Sequence, residues 1–136
     1  MSLTNDERDA IVSFRIQKAK DTLKEAEGIA TLGYWNAVAN RLYYACYYIT
    51  SALLIKNNYA AQTHRGIIHL LGMHFIKTGI VSNDAGKLYT KLFELRQSGD
   101  YDDLSHLVED DVKPLIVAAQ NYLDTIIALI GDQTDA

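Results

Sequence analysis

Hydrophobic residues recur at three- and four-residue steps in five blocks along this chain, the periodicity of amphipathic helices. The densest block runs from Trp35 to Leu54, WNAVANRLYYACYYITSALL, with no Gly or Pro and a single cation, Arg41. Trp35, Val38, Leu42, Cys46, Ile49 and Leu53 form one stripe, predicted to be buried, and Arg41, Tyr44, Ala45, Tyr48 and Ala52 form a second beside it. Arg41 and Tyr48 are seven residues apart, which returns a helix to within about 20° of the same azimuth. A lone guanidinium among apolar and aromatic neighbours is costly to bury, so it must be paired or face a cleft. Small residues at 37, 39, 45 and 52 admit a close neighbour helix, so this segment is predicted to centre both core and site.

The other blocks take their places around it. Thr4 or Asn5 caps a first helix, with Asp6 and Glu7 in its first turn, where the helix dipole favours acids. That helix presents Ile11, Phe14, Ala19, Leu23, Ala26 and Ile29 to the core and stops near Gly33. The short TLGYW connection then returns the chain antiparallel into the central helix. After the loop at 56–62, Thr63 reads as the cap of a third helix, from His64 to about Thr78, closed by Gly79. Ser82 caps a fourth, which runs to Arg96 and ends at Gly99, followed by the polar connection at 100–103. The last helix holds Leu115, Ile116, Ala119, Tyr122, Leu123, Ile126, Ile127 and Ile130; Pro114 either opens its regular part or kinks a helix begun near Ser105. The pattern predicts an all-α protein, an antiparallel bundle of about five helices. It reads as one domain over 1–136, with its core over about 5–130 and a polar tail at 131–136.

Composition narrows the classes. The 136 residues suffice for one proper core, and with 49% hydrophobic and 22% charged residues the chain reads as globular. No apolar run approaches a membrane span of about 20 residues, and the polar start MSLTNDERDA is unlike a signal peptide. Cys46 is the single cysteine, which leaves no internal disulfide and no thiolate zinc cage. Together these features point to the cytoplasm. A net charge of −4 argues against broad electrostatic binding of nucleic acid, yet allows a local basic cleft.

Metal chemistry finds little support. His64, His69 and His74 are spaced by five, so each is rotated about 140° from the last and the three share no face. The acids at 100, 102, 103 and 109–111 lack the glycine and ligand rhythm of a calcium loop. A phosphate-cradling glycine loop and a nucleophile elbow are both missing. No metal or cofactor is read from these residues. The polar positions left are Arg41, His64 at the start of the third helix, and Arg96 with Asp100 at the end of the fourth. They are expected to converge on one cleft, although Arg41 paired with a carboxylate such as Asp100 is equally a structural element. The Tyr43, Tyr44, Tyr47 and Tyr48 cluster exceeds what one small bundle easily hides, so the chain is expected to be a homodimer across the central helix.

Three segments in order, NRLYYACYYITSALL, THRGIIHLLGMHFIKTG and LFELRQSGDYDD, resemble the HEPN domain, the higher eukaryotes and prokaryotes nucleotide-binding family. Within it, the chain is similar to the small single-domain bacterial branch encoded beside a minimal nucleotidyltransferase, over residues 8–130. The resemblance implies a helical bundle, usually dimeric, with the arginine-bearing helix near the interface. It implies either a metal-independent ribonuclease acting as a toxin or defence protein, or a nucleotide-binding or regulatory partner of a nucleotidyltransferase. Arg41 fits the family arginine, and the position where the branch carries its histidine falls at Tyr48.

That departure bears on chemistry. Metal-free RNA cleavage needs a base for the 2′-hydroxyl and an acid for the leaving oxygen, work suited to a group titrating near neutrality. Tyrosine, with a free pKa of about 10, serves poorly unless activated, but it binds phosphate or stacks on a base. The resemblance, taken with this departure, implies a nucleotide- or RNA-binding regulatory protein that uses Arg41, Tyr44, Tyr48, His64, Arg96, Asp100 and Tyr101, as the partner of a minimal nucleotidyltransferase in a toxin-antitoxin or defence module. One alternative is an endoribonuclease toxin using Arg41 with His64 or Tyr48. The other is a ligand-free helical interaction module.

Overall fold

The computed structural model describes residues 3–101 and 106–131, the side chains of 99–101 lying outside that description. Among the described residues there are five main helices, a one-turn helix and no strand. They are α1 (Asn5–Ala30), α2 (Trp35–Lys56), α3 (His64–Leu71), α4 (Asn83–Tyr101), the short α5 (Glu109–Val112) and α6 (Pro114–Ile130).

Local chemistry sets most of the boundaries. Thr4 and Glu7 close a capping box on α1: the Thr4 hydroxyl accepts from the Glu7 amide at 3.0 Å and the Glu7 carboxylate from the Thr4 amide at 2.8 Å. Thr63 caps α3 by accepting from Gly66 N at 2.9 Å, and Ser82 caps α4 by accepting from Ala85 N at 3.1 Å. Pro114 stands at the first turn of α6, where its missing N–H costs nothing. Gly33 and Gly79 end their helices by taking φ of +78° and +82°.

Three details differ from the sequence reading. The third helix changes its hydrogen-bond pattern at Gly72, where a π-helical turn, Gly72–Ile76, replaces the α pattern before the stop. α4 does not end at Gly99 but continues to Tyr101, because a glycine in a helix costs only about 1 kcal/mol and stops it only when it turns left-handed. Phe14, expected in the core, is 64% exposed. The buried positions of α1 are Val12, Ala19, Thr22, Leu23 and Ala26, and two residues beyond Val12 the helix points about 200° away.

α2 packs against α1, α3, α4, α5 and α6, so the densest apolar segment is the axis of the core. Val38, Leu42, Cys46, Ile49 and Leu53 are buried as the periodicity requires. Two buried hydroxyls satisfy one another. Thr50 Oγ1 donates to Cys46 O at 2.7 Å, which commits its hydrogen and leaves it to accept from Tyr122 OH, also at 2.7 Å. Asn36 Oδ1 accepts from Leu107 N at 2.9 Å, tying the start of α2 to the segment before α5. No described helix is long and apolar enough to cross a membrane.

Candidate functional site

The polar residues singled out above meet around the Tyr44 ring. Tyr44 lies on the flank of α2 beside the buried stripe, half-buried, so its ring is reachable from three neighbouring turns. The Arg41 guanidinium stands 5.2 Å from its centroid, one turn earlier on the same helix. Arg96 reaches it from α4, 5.6 Å from the centroid, and its Nη1 donates to Tyr44 OH at 3.2 Å. The His64 imidazole comes from the first turn of α3, edge-on at 5.8 Å. Arg41, His64 and Arg96 thus share one aromatic neighbour although they lie on three helices.

Each cation is held differently. Arg41 is about a third exposed, at 31%, and its Nη1 lies 3.6 Å from Glu25 on α1. Its Nε and Nη2 both donate to Asn40 Oδ1, at 3.1 and 2.8 Å. These contacts orient the fork while leaving part of it in water, which suits a guanidinium that also meets an anion. Arg96 is buried, with its guanidinium carbon 5.0 Å from the Tyr43 ring and 5.8 Å from Phe93. A desolvated guanidinium on aromatic faces gains from their quadrupoles and also fixes those rings.

His64 is set by its own neighbours. Its Nδ1 is 2.6 Å from the hydroxyl of Tyr43, and its ring packs 4.8 Å from Tyr47. Tyr43 is fully buried, stacked against Tyr89, and burial raises its phenol well above the usual range, so it stays protonated. The protonated phenol can give its hydrogen to Nδ1 or accept one from it, so the two groups share one hydrogen bond, and when the phenol donates, the neutral imidazole carries its own hydrogen on Nε2. Burial first, and the charge of Arg96 second, lower the His64 pKa below the usual 6.5, so the neutral form prevails at pH 7. With its hydrogen on Nε2 the imidazole offers a donor there, and with its hydrogen on Nδ1 it offers a base.

Tyr48 is half-buried and sits among cations from α1, with Lys18 Nζ 5.5 Å and the Arg15 guanidinium 6.0 Å from its ring centroid. It touches the cluster through Tyr44, at 6.0 Å, and Tyr47, at 5.6 Å. The sequence reading missed these α1 residues and Glu25. The signal was present: Lys18 and Tyr48 each lie 15 residues from Gly33, and Glu25 and Arg41 each lie 8. In an antiparallel hairpin of two helices with equal rise, residues equidistant from the turn become neighbours.

The remaining sites are distributed as follows. Asp100 and Tyr101 were read as site residues, and their side chains lie outside the described residues, as does any pairing of Arg96 with Asp100. Among the described residues the carboxylate paired with Arg41 is that of Glu25 on α1. Of the four tyrosines taken as one surface, Tyr43 belongs to the core, and Tyr44, Tyr47 and Tyr48 remain half-buried. His74 has a different environment from His64, stacked on Tyr59 at 4.1 Å.

Known proteins resemble this chain in sequence and in fold. The HEPN domain family matches residues 12–129. A UPF0332 protein of Thermotoga maritima is 34% identical over 127 residues, covering 93% of this chain and 96% of its own length. A protein of Methanocaldococcus jannaschii named "Putative toxin MJ0605" is 27% identical over 124 residues, covering 91% of each chain. A crystal structure of a Thermus thermophilus protein superposes with a TM-score of 0.72 at 17% identity, covering 85% of this chain and 94% of that one, and shares the fold. The matched family and the 34% identity over nearly the whole length lead to one conclusion: this chain belongs to the HEPN domain family.

Proposed function

We propose that this chain binds the phosphate of a nucleotide or of RNA at the Tyr44 cluster and acts as a regulatory member of a toxin-antitoxin or defence module. The observation that carries this reading is the meeting of the Arg41 guanidinium and the His64 imidazole on one ring, Tyr44. In this reading Tyr43 donates to His64 Nδ1 across their 2.6 Å contact, and His64 presents an Nε2–H beside that guanidinium. Donors and a cation suit a phosphate, and half-buried tyrosines suit a base. A group that would accept the 2′-hydroxyl proton is not supplied by His64 in this state. Tyr48 is a phenol and serves here as a contact.

A homodimer fits the half-buried Tyr44, Tyr47 and Tyr48 together with Phe14, 64% exposed, on the same α1–α2 hairpin. A minimal nucleotidyltransferase is the partner that the family resemblance points to. The test is calorimetric titration with adenosine monophosphate in EDTA. Wild type should bind and Arg41→Ala should lose at least about tenfold in affinity, the scale of a charge-assisted contact to phosphate. Equal binding by both proteins would remove Arg41 from the site.

The second reading is a metal-independent endoribonuclease toxin using Arg41 with His64 or Tyr48. It is favoured by the toxin name given to the Methanocaldococcus relatives. Under that reading His64 acts from its protonated form as an acid, and the base must come from a second copy or from the RNA-bound state.

A further inference from the structure

α3 with its π turn and α4 splay apart along one face and leave a groove that contains none of Arg41, Tyr44, Tyr48 or His64. One part, about 740 Å³, is lined by Ile68, Gly72, Ile76, Gly86, Lys87 and Lys91 among others. A second part, about 400 Å³, adds Arg65 and Phe93 and shares Ile68, Thr90 and Glu94 with the first, so the two are continuous. On α4 the lining positions run from Asn83 to Gln97 along one face, a length of about 21 Å at the helical rise. That matches three to four turns of a third helix laid between the two ridges.

The chemistry of the groove selects among occupants. Its floor is apolar, made by Ile68 and Ile76. Gly86 lets the Ile76 side chain lie directly on the α4 backbone, where a Cβ would collide with Ile76 Cδ1. Gly72 opens onto free space, with nothing within 4 Å of a Cβ built there. The rim carries Arg65, Lys87 and Lys91 against the single acid Glu94, on a protein whose net charge is −4. An apolar floor is wasted on a phosphate backbone, and a basic rim disfavours a basic segment. Anchors at helical spacing with acidic flanks satisfy both.

We propose that this groove is a docking site for an amphipathic helix of a partner protein, with apolar anchors on the floor and acidic residues against Lys87 and Lys91. The inference is independent of the phosphate site. Lys87 and Lys91 are exposed, so charge reversal there leaves the core untouched. Gly72→Leu would place a side chain into the groove without a clash at its first atom.

The test uses three fluorescein-labelled probes on the full chain. They are a 16-residue helical peptide with leucines at i, i+3, i+4 and i+7 and glutamates on the flanks, the same peptide with lysines for glutamates, and a 16-nucleotide single-stranded RNA. Fluorescence anisotropy should show the acidic peptide bound at least about tenfold more tightly than the basic one, as complementary charge requires. Lys87→Glu with Lys91→Glu should reverse that order, and Gly72→Leu should weaken both peptides while circular dichroism shows an unchanged melt. Neither peptide binding at 100 µM, or equal binding of both, would overturn the proposal. RNA binding lost in the double charge reversal, without peptide binding, would assign the groove to nucleic acid and overturn it equally.

Discussion

The Tyr43 hydroxyl and His64 Nδ1, on two different helices, are 2.6 Å apart, and this contact couples the direction of one hydrogen bond to the imidazole tautomer. Tyr43 is fully buried at the centre of an aromatic set that includes Tyr44, Tyr47, Tyr89 and Phe93. Burial keeps its phenol protonated at neutral pH, so a hydrogen is available to donate to Nδ1, the arrangement the proposed function uses.

Tyr43→Phe should therefore release His64 from one tautomer. Nitrogen-15 NMR of the wild type should show the Nε2–H form of His64, and the variant should show a mixture. Stability should fall by about 1 kcal/mol, the typical net value of one hydrogen bond. An Nδ1–H signal in the wild type would reverse the assignment and restore His64 as a base.

Acid should weaken the fold through the same residue. The folded pKa of His64 lies below its unfolded value of about 6.5, so the unfolded chain takes up the proton first. The His64 contribution is intact above that value and is lost as pH falls through the folded pKa. Melting curves of wild type and His64→Gln from pH 7.5 to 5 share the other histidines, so their difference isolates this one. Wild type should lose more stability than the variant as pH drops below about 6.5. Parallel curves would show that His64 titrates as it would in water.

Arg96 is buried where Arg41 is partly exposed, and the two should contribute differently to stability. Arg96 is 5% exposed and packs on Tyr43, Tyr44 and Phe93. Arg96→Ala should cost on the order of 3 kcal/mol in chemical denaturation. Arg96→Lys should recover little of it, since an ammonium lacks the planar fork that stacks on rings and reaches the Tyr44 hydroxyl. Arg41→Ala should cost under about 1 kcal/mol, because its ion pair with the exposed Glu25 is solvent-screened. Equal losses at the two positions would contradict this division.

The all-helical bundle was legible because periodicity and caps act locally: the stripe through Val38, Leu42, Cys46, Ile49 and Leu53 and the caps Thr63 and Ser82 need no tertiary knowledge. Gly99 misled because a glycine marks a stop only by its φ, which the sequence does not carry. Phe14 misled because hydrophobicity alone does not say which side of α1 faces inward. At the site, Arg41, His64 and Arg96 stood out as polar residues in apolar surroundings, but their meeting at Tyr44 depends on how α3 and α4 cross α2. The Tyr43 contact was hidden for the same reason, since residues 21 apart in sequence meet only through that crossing.

Tyr48→His should create ribonuclease activity if the proposed site is right. The side chain at 48 lies on the Arg41 face of α2, near Lys18 and Arg15. An imidazole there would supply an acid or base near neutrality, an effect of about 10²–10⁴-fold, with Arg41 stabilising charge on the phosphate. In EDTA, the variant should cleave RNA faster than wild type, and adding Arg41→Ala should abolish the gain. No gain, in a variant that still binds RNA, would separate position 48 from the scissile phosphate.

The central claim is that the Tyr44 cluster holds phosphate without cutting RNA. The most direct measurement incubates end-labelled RNA with wild type, Arg41→Ala and His64→Ala in EDTA, and reads bound and cleaved fractions from the same reaction. Wild type should retain RNA intact, with retention reduced at least about tenfold in Arg41→Ala and less in His64→Ala, the loss of a charged against a neutral donor. Metal-free cleavage by wild type that disappears in His64→Ala would contradict the claim and make this chain a ribonuclease.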